Sequence, residues 1–176
     1  DPKLGRYGYF FQELQVHRPK NTSVKWRIDD FLTEINDYVE VEIKGNNIRV
    51  GCFVSYVKGI EGYEIPVYFL HTDFPENSTE NRAITDQLYG RDSEYRLQQE
   101  IILGVGGIRM LNKLGYRNLP VYHMNEGHSA LLVMELLRQL EDKDEVKNRC
   151  VFTTHTPVEA GHDKFSLNIV KKLLDN

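Results

Sequence analysis

Apolar and polar residues alternate with period two through the first half of the chain. Val39, Val41 and Ile43 fall on one side and Glu40, Glu42 and Lys44 on the other, and Ile48, Val50, Cys52, Val54 and Tyr56 resume the alternation. Successive side chains of a strand point to opposite faces, so the pattern predicts two half-buried strands. Gly45-Asn46-Asn47 supplies residues that tolerate positive φ, and residues 38–58 are therefore expected to form a hairpin. A third strand is expected over Glu64–Leu70, running into His71-Thr72-Asp73, with a loop from Pro75 to Glu80. Tyr7-Gly8-Tyr9-Phe10-Phe11 reads as the middle of a strand.

The second half changes to a period near 3.6. Leu97, Ile101, Val105, Ile108 and Leu111 recur at steps of three and four, which predicts a helix over Ser93–Leu114 with Asp92 or Ser93 as its cap. A strand over Leu119–Met124, a helix over Gly127–Leu140, a charged connector over 141–149, a strand over Cys150–Thr154 and a helix over Phe165–Leu174 follow. Strand–helix–strand–helix with crossovers of this length implies parallel strands in a βαβ arrangement. Gly104-Val105-Gly106-Gly107 lies inside a helical pattern and does not open a helix after a strand, so it is read as close backbone packing and not as a dinucleotide loop. The chain is expected to be a single segment, β-rich over 1–78 and helical with the βαβα unit over 79–176.

Composition narrows the function classes. With 22 basic against 26 acidic side chains the net charge is −4, which lacks the basic footprint of a nucleic-acid binder. No apolar run reaches the ~18 residues of a membrane span, and the chain reads as cytoplasmic. Cys52 and Cys150 match no metal-finger spacing. Asn21-Thr22-Ser23 and Asn77-Ser78-Thr79 have the form of glycosylation sequons and are read as incidental. Asp1 in place of methionine, ahead of a strand-like segment, predicts an excised fragment.

Candidate chemistry collects where predicted strands end. The third strand ends in His71-Thr72-Asp73, the next in His123-Met124-Asn125-Glu126-Gly127-His128, and the last in Thr153-Thr154-His155-Thr156-Pro157. Ligands of open parallel sheets bind beyond the carboxyl ends of the strands, so neighbouring strands here would give one rim of imidazoles, hydroxyls and carboxylates. Glu126 and His128 also stand at a helix start, where free N–H groups favour anions or sugar oxygens. A plainer reading holds for the same residues: a strand-end histidine packs or caps, and Glu126 complements the helix dipole. No metal is expected, because there is no His-Glu-x-x-His and the five-residue step from His123 to His128 crosses a strand–helix junction. No Gly-x-Ser-x-Gly nucleophile elbow occurs.

Tyr122–Gln139 (YHMNEGHSALLVMELLRQ), Val151–Phe165 (VFTTHTPVEAGHDKF), Leu88–Gly107 (LYGRDSEYRLQQEIILGVGG) and Gly5–Gln12 (GRYGYFFQ) together resemble the α-glucan phosphorylases, in particular the short bacterial and archaeal type. The resemblance implies an α/β fold: part of the N-terminal Rossmann-like domain of a two-domain GT-B glycosyltransferase. It implies reversible phosphorolysis of α-1,4-glucan by phosphate, giving glucose 1-phosphate with retention, and a homodimeric parent. Residue by residue, it implies catalytic roles for His155 and Glu126, the latter standing where many members have aspartate. It implies sugar contacts from Asn125, His128 and Thr154, and from Tyr89 and Arg96, which flank a gate loop that is much shorter here. The parent's pyridoxal phosphate would be held by a lysine outside this chain, as would the glycine-rich loop facing substrate phosphate. The chain alone is therefore expected to bind no cofactor and to be inactive. Retaining hydrolases need two carboxylates flanking the bond, and Glu126 has no evident partner, which favours phosphate as the attacking group. The alternatives are a nucleotide-sugar-dependent glucan synthase of the same fold and a non-catalytic glucan-binding or assembly module.

Overall fold

The computed structural model describes residues 6–13, 16–23, 27–87, 92–159 and 162–174. Backbone contacts divide the chain into two compact units, residues 1–38 with 49–92 and residues 39–48 with 93–176. The fold is mixed α/β, and the described residues form one parallel pair of strands and two antiparallel sheets.

The strand expected around Tyr7–Phe11 is β1 (Arg6–Glu13), and it pairs antiparallel with β2 (Val16–Ser23), which the sequence pattern does not predict. Strands β3 (Thr33–Ile43), β4 (Asn46–Lys58) and β5 (Glu64–His71) form a three-stranded sheet in that order. The expected hairpin is present, but its turn is Lys44-Gly45 and not Gly45-Asn46-Asn47. Both turn residues take positive φ, 54° and 69°, the combination whose twist suits a two-residue hairpin loop. Asn46 instead begins β4, its amide donating to the Lys44 carbonyl at 3.0 Å. Val50, Cys52 and Val54 are buried as the alternation requires, yet Phe53 on the other face is buried too, and Tyr56 is 59% exposed.

Asn77 is built into the first unit. Its side chain accepts from the Arg49 N–H at 2.9 Å and donates to the carbonyls of Arg49 (2.9 Å) and Thr72 (2.7 Å). A buried amide spent this way gives the second sequon no glycosylation role in the folded chain.

The helix expected over Ser93–Leu114 starts at Ser93 and ends at Lys113, with a π-helical turn in its middle. α2 (Ser93–Ile101) leads through Ile102–Gly106 into α3 (Gly107–Lys113), after the short α1 (Thr79–Arg82) earlier in the chain. Gly104 marks the close approach anticipated from the sequence. A Cβ there would lie 2.7 Å from the Leu132 amide nitrogen and 2.9 Å from the Leu131 carbonyl carbon.

β6 (Tyr122–Asn125) and β7 (Cys150–Thr153) pair in parallel, Tyr122 opposite Cys150 and Asn125 opposite Thr153. Their connection carries a 3₁₀ turn at Gly127–Ser129, α4 (Leu132–Leu140) and α5 (Lys143–Arg149). The segment expected as a connector is thus a helix. Asp142 caps it, accepting from the Asp144 and Glu145 N–H groups at 2.9 and 3.0 Å, and acids in its first turn and bases in its last suit the helix dipole. Ile108, Met124, Leu132, Leu136 and Val146 form the buried core around the pair, each such side chain contributing about 2 kcal/mol on burial. α6 (Leu167–Leu174) closes this unit, the Leu173 carbonyl accepting from the Lys44 N–H at 3.0 Å. No helix among the described residues is long and apolar enough to cross a membrane.

Candidate functional site

β5 pairs antiparallel with β4, in a different sheet from β6 and β7, so the rule for parallel strand ends does not reach it. His71 is buried, stacked on Phe74 with ring centroids 5.1 Å apart and tilted against Phe53 at the same distance. Asp73 accepts from Arg82 Nε at 2.6 Å. This strand end follows the plainer reading: it is packed and paired.

The other two strand ends do converge. β6 delivers Asn125 and Glu126, and β7 delivers Thr153, Thr154 and His155, because the parallel register sets Asn125 beside Thr153. The Glu126 N–H donates to the Thr153 carbonyl at 2.8 Å, extending the ladder by one bond. At Glu126 the backbone then turns sharply, with φ 59° and ψ −166°, a region that disfavours any residue but glycine. This conformation accompanies a carboxylate that is only 3% exposed. Oε1 accepts the backbone N–H groups of His155 and Thr156, both at 2.9 Å, and lies 3.3 Å from His155 Nδ1. The bond from the His155 N–H, with further bonds from Thr156 and Thr154, holds the Glu126 carboxyl down to about 2, so it is ionised at neutral pH.

His155 itself is well exposed, its ring bridging Glu126 and Asn125. Nε2 lies 2.9 Å from Asn125 Oδ1, so both ring nitrogens face acceptors. A trans peptide sets its C=O opposite its N–H. Since the N–H groups of His155 and Thr156 both point at Glu126, the carbonyls of Thr154 and His155 point away from it. Beside them, His123 Nε2 lies 2.6 Å from Thr153 Oγ1.

His128 and Arg96 belong to a second cluster in the same unit. Arg96, on α2, places Nη2 2.5 Å from His128 Nδ1 and 3.2 Å from Asp163 Oδ2, and its Nε lies 3.3 Å from Glu100 Oε1. A guanidinium only donates, so Nδ1 of His128 must accept and its proton resides on Nε2. Glu100 is buried. Desolvation first, then the neighbouring Asp163, pushes its carboxyl up to about 8 against the opposing pull of Arg96. Glu100, His128 and Asp163 bring their ligand atoms within 4.8 Å of one another, a donor set that could suit a cation. Arg96 contacts all three and already supplies the positive charge, so no metal is assigned to them.

Of the residues singled out from the sequence, Asn125, Glu126, Thr154 and His155 gather at one strand edge, and His128 and Arg96 pair with each other. Tyr89 lies outside the described residues. Glu100 and Asp163 were not anticipated. The first stands one helical turn from Arg96, an i,i+4 pair visible in the sequence, but Asp163 is 67 residues from Arg96 and no local signal connects them.

No family model matches the chain. Curated relatives do. The chain is 36% identical to the maltodextrin phosphorylase of Thermococcus litoralis over 187 residues and 36% identical to the glycogen phosphorylase of Mycobacterium tuberculosis over 200 residues. Each comparison covers 97% of this chain and 22% of the relative. The glycogen phosphorylase of Aquifex aeolicus is 33% identical over 60% of the chain and 16% of its own length. The chain thus spans about a fifth of the length of the relatives it matches. Over that stretch, the chain is similar to a segment of the glycogen and maltodextrin phosphorylases.

Proposed function

We propose that the chain forms the sugar-facing wall of an α-glucan phosphorylase active site, within a Rossmann-like domain of a cytoplasmic, homodimeric GT-B enzyme. The complete protein transfers a glucosyl unit from the non-reducing end of α-1,4-glucan to phosphate, with retention, giving glucose 1-phosphate. The observation that carries this reading is the clamp of Glu126 on two successive N–H groups. It turns the Thr154 and His155 carbonyls outward as fixed dipoles, negative ends leading. Cleaving a glycosidic bond builds positive charge at the anomeric carbon, and preorganised carbonyl oxygens stabilise that charge without reorganising. The exposed His155 ring and Asn125 offer hydrogen bonds to sugar hydroxyls beside them. His128, with its proton on Nε2, offers a donor to an adjoining sugar, and Arg96 acts through His128 and not on substrate.

Pyridoxal phosphate, implied by the resemblance, would contribute its phosphate as a proton donor and acceptor in the parent. The side chains bonded to Glu126, His128 and His155 are an asparagine, an arginine, carboxylates and threonine hydroxyls. None is an amine that could form an imine with the cofactor, and the Arg96 cation is committed to Asp163 and His128. These residues do not fit the cofactor, and no step is routed through it. The chain alone is expected to be inactive, since the resemblance puts the cofactor's lysine and the phosphate-facing loop outside it.

Supplying the full-length enzyme with maltodextrin and inorganic phosphate, and assaying glucose 1-phosphate, tests the reading. Product from the full-length enzyme and none from the 176-residue chain is expected. A strict requirement for ADP- or UDP-glucose would select a nucleotide-sugar synthase instead, and product from the chain alone would overturn its inactivity.

A further inference from the structure

β6 presents two faces. Tyr122 and Met124 are buried on the core side, and His123 and Asn125 are exposed on the other, as alternation along a strand requires. The parallel register sets His123 opposite Val151 and Asn125 opposite Thr153, so Thr153 lies on a diagonal from His123. The imidazole spans that diagonal, with Nε2 2.6 Å from Thr153 Oγ1. Imidazole and hydroxyl can each donate or accept, so the pair closes with either ring tautomer.

Thr153 is the last residue of β7, where the chain leaves the ladder. β6 holds its backbone and its side chain separately. The Glu126 N–H donates to its carbonyl at 2.8 Å, and His123 engages its hydroxyl. A threonine side chain has few χ1 wells, and a hydroxyl fixed on an imidazole selects one of them. The peptides that follow are clamped from the far end, where Glu126 accepts the His155 and Thr156 N–H groups. Thr154 therefore sits between two attachments to the same strand, His123 before it and Glu126 after it. Its carbonyl is one of the two dipoles that the clamp turns outward.

A histidine and a threonine paired across two strands also stabilise a sheet modestly. This pair, however, stands at the residue from which the clamped loop departs. A displacement there of about one ångström is carried into the Thr154 and His155 carbonyls, and errors of that size slow a preorganised site severely.

We propose that His123 is a positioning residue for glucosyl transfer: through the Thr153 hydroxyl it fixes the start of the β7 exit, and with it the aim of the Thr154 and His155 carbonyls. The inference rests on the reading of this edge as the sugar-facing wall, and it adds to that wall a residue that does not touch the sugar.

Initial rates of glucose 1-phosphate formation by the full-length enzyme, at varied maltodextrin and saturating inorganic phosphate, test this. His123→Ala should lower kcat about three- to tenfold, the size of one lost hydrogen bond, and leave KM for maltodextrin within about twofold. His123→Gln carries an amide nitrogen out to nearly the reach of Nε2 and should recover most of the lost rate. Thr153→Val removes the other partner and should match His123→Ala, and the double variant should be no slower than either alone. His123 is exposed, so circular dichroism should show both His123 variants folded. Wild-type kcat in His123→Ala, no recovery in His123→Gln, or losses that multiply in the double variant would each overturn the proposal. A wild-type enzyme that forms no glucose 1-phosphate would instead remove the reading of the edge itself, and this inference with it.

Discussion

Glu126 reaches across from β6 and holds the loop after β7 by two backbone bonds, to the N–H groups of His155 and Thr156, each 2.9 Å long. One carboxylate oxygen thereby fixes the orientation of two consecutive peptides. Glu126 does so from a backbone conformation that costs about 1–3 kcal/mol for a residue other than glycine. Strain retained beside a buried, ionised group is what a preorganised site requires. A strand end serving packing alone would have no need of it.

The two carbonyls that this clamp turns outward should matter more to turnover than to binding. In the full-length enzyme, Glu126→Ala should depress kcat for glucose 1-phosphate formation by at least about tenfold, since both N–H groups lose a charged acceptor. Glu126→Gln retains a carbonyl acceptor and should fall between Ala and wild type. His155→Ala should depress turnover as strongly, through loss of the ring. Wild-type rates in both alanine variants would remove the clamp from the proposed chemistry.

The proposed role of Arg96 as a positioning residue is testable at the imidazole it touches. With Arg96 donating to Nδ1, the neutral His128 ring should be held as the Nε2–H tautomer. Nitrogen-15 NMR of the ring should show that single tautomer in the wild type and a mixture in Arg96→Met. A tautomer ratio unchanged by the substitution would mean that the contact does not govern the ring.

Where pattern is local, the sequence was informative. The alternation over Val39–Ile43 and Ile48–Val54 gives the hairpin, and the period through Leu97 and Ile108 gives the long helix. The end of the alternation was not legible, because Tyr56 continues a sequence pattern beyond the buried part of β4. α5 was missed because Val146 is its one buried residue, and a charged run carries almost no periodicity. Its signal was the Asp142 cap, which acts through backbone bonds and not through burial. The candidate site divides in the same way. Strand ends pointed to Glu126 and His155, whose meeting follows from one parallel register. The pairing of Arg96 with Asp163 depends on how distant segments fold together, and the exclusion of His71 depends on which sheet β5 joins.

Gly104 offers a test of packing independent of the site. In Gly104→Ala the new Cβ would stand 2.7 Å from the Leu132 nitrogen, a backbone atom that cannot swing aside. Helix propensity favours alanine by about 1 kcal/mol, while overpacking of this kind costs about 1–3 kcal/mol or more, so the clash should prevail. A Tm lowered by roughly 5 °C is expected from thermal unfolding, and an unchanged or raised Tm would show that α4 gives way.

Glu100 should set a pH dependence opposite to that of a paired carboxylate. Its folded-state carboxyl titrates at about 8, raised from an ordinary 4.5 by burial and by Asp163. The folded chain therefore keeps a proton through a range where the unfolded chain has released it. Because the unfolded state binds fewer protons there, stability is full below about 4.5 and declines as pH rises towards 8, with a slope of at most about 1.4 kcal/mol per pH unit. Gln cannot ionise and mimics the protonated acid, so Glu100→Gln should match the wild type near pH 5 and exceed it increasingly up to pH 8. Arg96, His128 and Asp163 also face this position, but they are common to both proteins and cancel in the difference. Thermal unfolding at a series of pH values measures it directly. Curves for the two proteins that stay parallel from pH 5 to 8 would show that Glu100 is ionised in the folded chain, with Arg96 stabilising its charge.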